Sequence, residues 1–341
     1  MILCAGLGTR LLPVTEKKPK PLVPILNLPN VLHTLHLFRT AGIVNVILNL
    51  HHLGETIERF LGNGSRWGMR LEYSREAKLL GTGGGVKQAE PFFEGKALVI
   101  ANCDFVSNLS LLTAIRHHQE SDALATMVLY EDPSRQAHYS KVGTDKSGAL
   151  VVFPKVVLND PTRVGIFTGV HVLENETLKH LKAEPSGINE LLYPALMRAT
   201  PNRTLGHFLE HQYWRDTGEF ATIYSGSMDL LRGLGEDELL KSCLREMGGY
   251  DEGKPGVWAP KGTKLPNDVE FLAPVVIGAN CHLEARSSIG PFVVLADQST
   301  VKSGATVSRT ITLDKGTIEA GQTVTNALLC DGRVLFKVPQ G

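Results

Sequence analysis

From Leu265 onward a large apolar residue returns at every sixth position: Leu265, Phe271, Ile277, Leu283, Ile289, Leu295, Val301, Val307 and Leu313. An α-helix repeats every 3.6 residues and a flat strand every 2, so neither sustains a period of six. A parallel β-helix does, because each flat face of a coil contributes one inward aliphatic before the chain turns a corner. Small residues at Gly278, Ala279, Ala285, Gly290, Gly304 and Ala305 suit those corners. The register moves by one at Ile318 and Val324, which reads as a cap on the stack. Coils of this kind bury their core only against neighbouring coils. Residues 265–341 are therefore expected to form a β-helical domain. The Gly-, Pro- and Lys-rich stretch before it reads as a linker at 249–264, leaving 1–248 as a first domain.

That first domain has another grammar. A chain of 341 residues is long enough for two domains. Residues 1–105 alternate strand and helix as stacked βαβ units: strands at 43–50, 69–73 and 98–101, helices at 30–41 and 55–61, and a glycine run at Gly81–Gly85 opening another helix. Strands and turns follow, with a hairpin turn at 145–148, strands at 165–173 and 205–214, a helix at 190–198, and helix over 222–247 interrupted by the glycines at 233 and 235. The order predicts an α/β fold, a Rossmann-like, mostly parallel sheet that binds ligands at the carboxyl ends of its strands. Gly6, Gly83 and Asp104 all fall at that edge.

Composition excludes several function classes. Lys plus Arg number 35, as do Asp plus Glu, so no global field recruits nucleic acid or an anionic membrane. No apolar run reaches the ~18 residues of a membrane span, and no signal sequence precedes the first strand. Five scattered cysteines without C-x-x-C spacing suggest reduced thiols and a cytoplasmic protein.

The opening stretch, Leu3 to Pro24, carries the chemistry. Gly6 and Gly8 can take positive φ and let backbone N–H groups approach an anion. Arg10, Lys17, Lys18 and Lys20 put four cations within eleven residues, and Pro13, Pro19, Pro21 and Pro24 stiffen the loop. Such a loop suits a polyphosphate. It is neither a dinucleotide fingerprint, since the third glycine is missing, nor a Walker loop. The longer string G-x-G-T-R-L-x-P-x-T-x-x-x-P-K-P-L-x-P closely resembles the opening signature of the sugar-1-phosphate nucleotidylyltransferases. The hexapeptide run similarly resembles the left-handed β-helix appended to many of them.

The resemblance implies a GT-A-type catalytic domain, and an NTP, a sugar 1-phosphate and Mg2+ as partners. It also implies a first strand somewhat longer than Met1 allows. Arg10 and Lys20 would contact the triphosphate and steady the departing pyrophosphate. Gly6, Leu7, Gly8 and Thr9, with Thr82, Gly83 and Gly84, would hold the nucleotide. Asp104, directly after a buried strand, is the leading metal ligand, its alternative being a turn or cap aspartate. Asp216, in Trp214-Arg215-Asp216-Thr217-Gly218, resembles the W-x-D-x-G aspartate that shares the metal. Gly169 looks like a sugar-contacting backbone glycine. Lys155 stands in for the lysine of the family's F-x-E-K-P segment, which is otherwise unrecognisable here.

Cys4 and Cys103 replace a usual alanine and a frequent glycine. Residues 48–85 look most like the muramate-1-phosphate uridylyltransferases of cell-wall recycling, the β-helix more like mannose-1-phosphate guanylyltransferases. GTP with mannose 1-phosphate is the expected pair, with uridylyl or thymidylyl transfer to another sugar, a non-catalytic regulatory subunit, or a bifunctional acyltransferase through His282 as alternatives. A homo-oligomer through the β-helix is a further expectation. His207-Phe208-Leu209-Glu210-His211 matches an inverted zinc-protease pattern, but in a strand its histidines would stand about 13 Å apart, too far to share zinc.

Overall fold

The computed structural model describes residues 1–338. The chain divides into two compact units, one from Met1–Leu7, Pro19–Pro21 and Leu37–Arg215, the other from Gly8–Lys18, Leu22–His36 and Asp216 onward. The signature loop thus contributes residues to both.

In the first unit the strands are β1 Ile2–Leu3, β2 Asn45–Leu50, β3 Arg70–Arg75, β4 Leu98–Asn102, β5 Ala125–Tyr130, β6 Val142–Thr144, β7 Leu150–Phe153, β8 Val156–Val157, β9 Arg163–Leu173 and β10 Thr204–Phe208. They form one sheet ordered β8-β7-β6-β9-β4-β1-β2-β3, with β5 between β9 and β10. The four strands β4-β1-β2-β3 are all parallel, while β9 runs antiparallel to β4, β5 and β6. Parallel strands are covered on both faces, which is why Val46, Ile47, Leu48 and Leu50 are all buried. Asn49 is the polar exception among them, 2 % exposed. The chain leaves β1 toward β2 on one side and returns to β4 on the other, so the strand order reverses between β1 and β4. A crevice at the carboxyl ends of such a pair is where open α/β sheets bind ligands.

One expected strand is broken. The strand expected over 205–214 ends at Phe208, His211 takes a left-handed φ of 56°, and Trp214–Asp216 starts a separate ribbon strand. The helix over 222–247 is interrupted at its glycines as expected, giving two helices, Phe220–Gly233 and Glu238–Gly248. Gly233 and Gly235 weaken the junction, and the Asp237 side chain restarts the helix by accepting from the Leu240 N–H at 3.0 Å.

In the second unit, coil positions stack as parallel strands. Partners are 18 residues apart at first (Val257 with Val275, Val275 with Val293) and 17 apart later (Val293 with Thr310, Thr310 with Ala327). Two further faces stack likewise, Phe271-Ile289-Val307-Val324 and Leu283-Val301-Ile318. Three faces of six residues give the 18-residue coil of a parallel β-helix. Its core holds every periodic aliphatic from Leu265 to Val307, with Ile318 and Val324. The one-residue slip falls earlier than expected, between Val307 and Thr310, where Arg309 has a φ of 45°. Leu313 is consequently buried outside that cluster. The segment that reads as a linker contains a hairpin, Tyr250–Lys254 with Val257–Pro260, turned at Gly256 with φ 68°. Its second strand brings Val257, Trp258 and Ala259 into burial on the first coil.

Candidate functional site

At the β1/β4 reversal point the first unit holds a cavity of about 250 Å³. Its walls come from the ends of three parallel strands and two following segments: Cys4 and Gly6 after β1, Asn49 in β2, Asn102 to Asp104 at the end of β4, Leu79 to Thr82, and Lys20 with Pro21. Lys20 Nζ is hydrogen-bonded and ion-paired to Asp104 Oδ2. Their side chains are 14 % and 24 % exposed, so the pair is shielded but reachable. Pro19 and Pro21 on either side of Lys20 restrict the backbone that delivers it. A cation and a carboxylate at the mouth of a cavity provide for both a phosphate and a metal ion.

The predicted residues fare differently. Gly6 and Thr82 line this cavity with Lys20 and Asp104, whereas Leu7 is exposed and Gly83 and Gly84 lie behind the wall. A Cβ on Gly84 would stand 2.3 Å from the carbonyl oxygen of Glu184, and one on Gly83 would stand 2.9 Å from Ser186 Oγ. These two glycines are packing glycines, needed for close approach of the helix Gly81–Gln88 to residues 184–187. The Thr82 hydroxyl accepts from the Ile188 N–H at 2.9 Å. Gly6 does not adopt positive φ, contrary to expectation; Gly8 does, at 68°, where it opens the short 3-10 helix Thr9–Leu11. Gly169 has φ 88° and leaves no room for a Cβ against Asn102, which lines the cavity. Lys155, at φ 69°, is the exposed tip of the β7–β8 hairpin.

Within the second unit, Arg10 Nη1 pairs with Glu219 Oε1 at 3.2 Å. Its guanidinium lies where a side chain on Gly218 would be, 2.7 Å from an ideal Cβ. Asp216 Oδ1 accepts from the Gly218 N–H at 3.3 Å, and the Asn30 amide donates to Thr217 Oγ1. Asp216 to Gly218 and the signature arginine thus share one corner of this unit.

Burial pushes the Cys4 thiol well above its usual range, with the adjacent Cys103 thiol adding to the effect. None of the five cysteines is in a disulfide. His207 lies in β10 but His211 lies beyond it, so the two do not form a zinc pair on one element. Among the described residues, the only three metal-ligand atoms within 4.8 Å of one another belong to Asp314, Cys330 and Asp331. No helix among the described residues is long and apolar enough to cross a membrane.

The family model described as nucleotidyl transferase matches residues 1–233, which include every one of these positions from Gly6 to Asp216. The chain belongs to the nucleotidyl transferase family. It is 29 % identical over 335 residues to a UTP–glucose-1-phosphate uridylyltransferase from Synechocystis, covering 92 % of this chain and 82 % of the relative. It is 28 % identical over 312 residues to a mannose-1-phosphate guanylyltransferase from Mycobacterium tuberculosis, covering 91 % and 82 %. A crystal structure of a Bacillus anthracis protein named as a glucose-1-phosphate thymidylyltransferase superposes with a TM-score of 0.57 at 18 % identity, over 70 % of this chain and 97 % of that one. That likeness concerns the fold alone. The expectation of a sugar-1-phosphate nucleotidyltransferase, drawn from the opening signature, agrees with family and relatives together.

For this nucleotidyl transferase, sequence reasoning passed over Asn49, Glu76 and Asn102. Asn49 had a signal: a lone amide inside the apolar run Val46 to Leu50 of a strand buried on both faces. Glu76 had none, because a glutamate between Arg75 and Ala77 looks like any exposed turn residue until the fold buries it.

Proposed function

We propose that this nucleotidyl transferase moves guanylyl from GTP to mannose 1-phosphate, giving GDP-mannose and pyrophosphate. The observation that carries the reaction class is the Lys20–Asp104 pair at the mouth of a cavity at the β1/β4 reversal point. The guanylyl and mannosyl halves rest on the mannose-1-phosphate guanylyltransferase relative, whose similarity runs through the β-helix as well.

A phosphate oxygen of the sugar 1-phosphate attacks the α-phosphorus of the nucleotide. The bond from that phosphorus to the β-phosphate bridging oxygen breaks, and pyrophosphate leaves with its electron pair. The attacking phosphate is ionised at neutral pH, so no general base is required. The chain must position the two phosphates in line and offset their charge. Lys20 and Arg10 offset charge on the β- and γ-phosphates, and the backbone from Gly6 to Thr9, with Thr82, holds the nucleoside. Gly169 offers its backbone to the sugar, and Lys155 its ammonium to the sugar phosphate.

Magnesium favours one or two carboxylates and several waters, which suits a half-buried Asp104 at a cavity edge; Asp216 is the second carboxylate by its resemblance to the W-x-D-x-G aspartate. When bound, it would neutralise triphosphate charge that the two cations alone leave uncompensated. Residues 1–248 carry the chemistry on this reading, and the coils from 265 onward serve as a scaffold that can join copies.

The uridylyltransferase relative favours a second reading, UTP with glucose 1-phosphate. Pyrophosphate release should be measured for GTP, UTP, dTTP, CTP and ATP against mannose, glucose and amino-sugar 1-phosphates. A dominant rate with GTP and mannose 1-phosphate is expected, and a dominant rate with UTP would select the second reading. NDP-sugar binding with no release in any pairing would make the chain a regulatory subunit.

A further inference from the structure

A buried carboxylate stands behind the cavity wall and holds three of its edges together. Glu76 is 4 % exposed. Its backbone is fixed on both sides: the N–H donates to the Leu50 carbonyl at 2.8 Å, and its own carbonyl accepts from His51 Nδ1 at 2.9 Å. Oε1 accepts from Asn49 Nδ2 and Oε2 from the Leu80 N–H, each at 2.8 Å. Asn49 in turn accepts the Cys4 N–H on Oδ1 at 2.8 Å. The relay Cys4–Asn49–Glu76–Leu80 therefore ties the end of β1 and the end of β2 to the start of the helix Gly81–Gln88. Gly85 is shaped by the same group, since a Cβ there would lie 2.6 Å from Glu76 Oε1 and 2.8 Å from Asn49 Nδ2.

The donor count makes the acid necessary. Both ends of the relay are backbone N–H groups that can only donate. Between them, Asn49 supplies one acceptor and one donor, and residue 76 must supply two acceptors. With glutamine at 76, one N–H must face another N–H somewhere along the relay. Flipping either amide only moves the conflict to a different link. One carboxylate and one amide satisfy the relay, in either order, whereas two amides, or two acids both ionised, leave one link mismatched.

We infer that Glu76 is a positioning residue for nucleotide binding, setting through Asn49 and Leu80 the separation of the Cys4 and Gly81 edges between which the nucleotide enters. It rests on the proposed function, because the cavity must be the nucleotide's. The test is a double-mutant cycle of Glu76→Gln and Asn49→Asp, read by calorimetric affinity for the magnesium nucleotide, by the split between KM and kcat, and by hydrogen exchange at the Leu80 amide. Each single change is expected to weaken nucleotide binding about tenfold or more, with KM moving more than kcat, and to speed Leu80 exchange. The double variant, which restores every donor–acceptor match at unchanged net charge, is expected to return to within about threefold of the original on both measures.

Unchanged affinity in Glu76→Gln, or a double variant as impaired as the two singles combined, would overturn the assignment. If the unaltered protein binds no nucleotide, the functional reading fails instead. Leu80 exchange then decides whether the relay exists: rescue in the double variant keeps it, and uniform protection in all four proteins removes it.

Discussion

Lys20 and Asp104, 84 positions apart, are ion partners on the rim of one cavity. Neither is fully solvated, so each gains from the other's charge more than a fully exposed pair would. On the proposed function, incoming phosphate would compete for the lysine, and a divalent cation would compete for the aspartate. Asp104→Asn keeps the shape and removes the charge. We expect pyrophosphate release at saturating magnesium to fall by about a hundredfold or more, with the far-UV circular dichroism spectrum intact. Turnover near the original rate would remove Asp104 from the chemistry.

The glycines of the two loops are separable by what surrounds them. Gly84→Ala places a methyl against the Glu184 carbonyl, which is backbone and can yield only by moving the segment. The expected cost is about 1–3 kcal/mol in a urea titration. Gly6→Ala meets nothing within 4 Å and needs no left-handed φ. Its stability should stay within about 0.5 kcal/mol, while its KM for nucleotide rises if backbone approach at Gly6 matters. Equal stability loss in both variants would show that the distinction is wrong.

How far these features could be read in the sequence follows from the range of the interactions involved. The β-helix was legible because one side chain per face repeats along the chain, so its core is a local pattern. The parallel strands were legible for the same reason, as apolar runs between turns. The hairpin at 250–260 was not, since its Gly-Pro-Lys content hides the apolar triplet Val257, Trp258 and Ala259, which only the first coil explains. The packing role of Gly83 and Gly84 depends on residues 184–187, about a hundred positions away, and Glu76 on a strand neighbour. Such long-range pairings leave no periodic trace.

The early slip in the coil makes a test of its own. After Arg309 the face continues as Thr310-Ile311-Thr312, with buried hydroxyls where the preceding coil has Val293 and Leu295. Thr312 Oγ1 accepts from the Ala296 N–H at 2.6 Å. Thr312→Val is close in shape and more apolar, and a purely hydrophobic account predicts a gain. It removes the acceptor to which that N–H donates, so we expect a loss of about 1–3 kcal/mol. A rise in the unfolding midpoint would mean that the hydroxyl is dispensable and that coil packing alone decides.

Stability should also fall on mild acidification, in both units, for one reason. Burial pushes His171 in the first unit down to about 3 and His33 in the second down to about 4, from an ordinary value near 6.5. The imidazole of His171 lies against the Tyr193 hydroxyl at 2.7 Å, and that of His33 against the Ile25 carbonyl at 3.1 Å, with no carboxylate among the described residues paired to either. Between pH 6.5 and about 4 the unfolded chain therefore binds protons at these sites that the folded chain does not. Proton uptake on unfolding means that stability rises with pH through this window and is lost as pH falls. At pH 5 each histidine costs about 2 kcal/mol relative to pH 7.5. The urea midpoint should drop measurably between those pH values, and His171→Gln should flatten the dependence of the first unit while leaving that of the second in place. Identical midpoints at pH 7.5 and pH 5 would show that neither ring stays neutral in the folded chain.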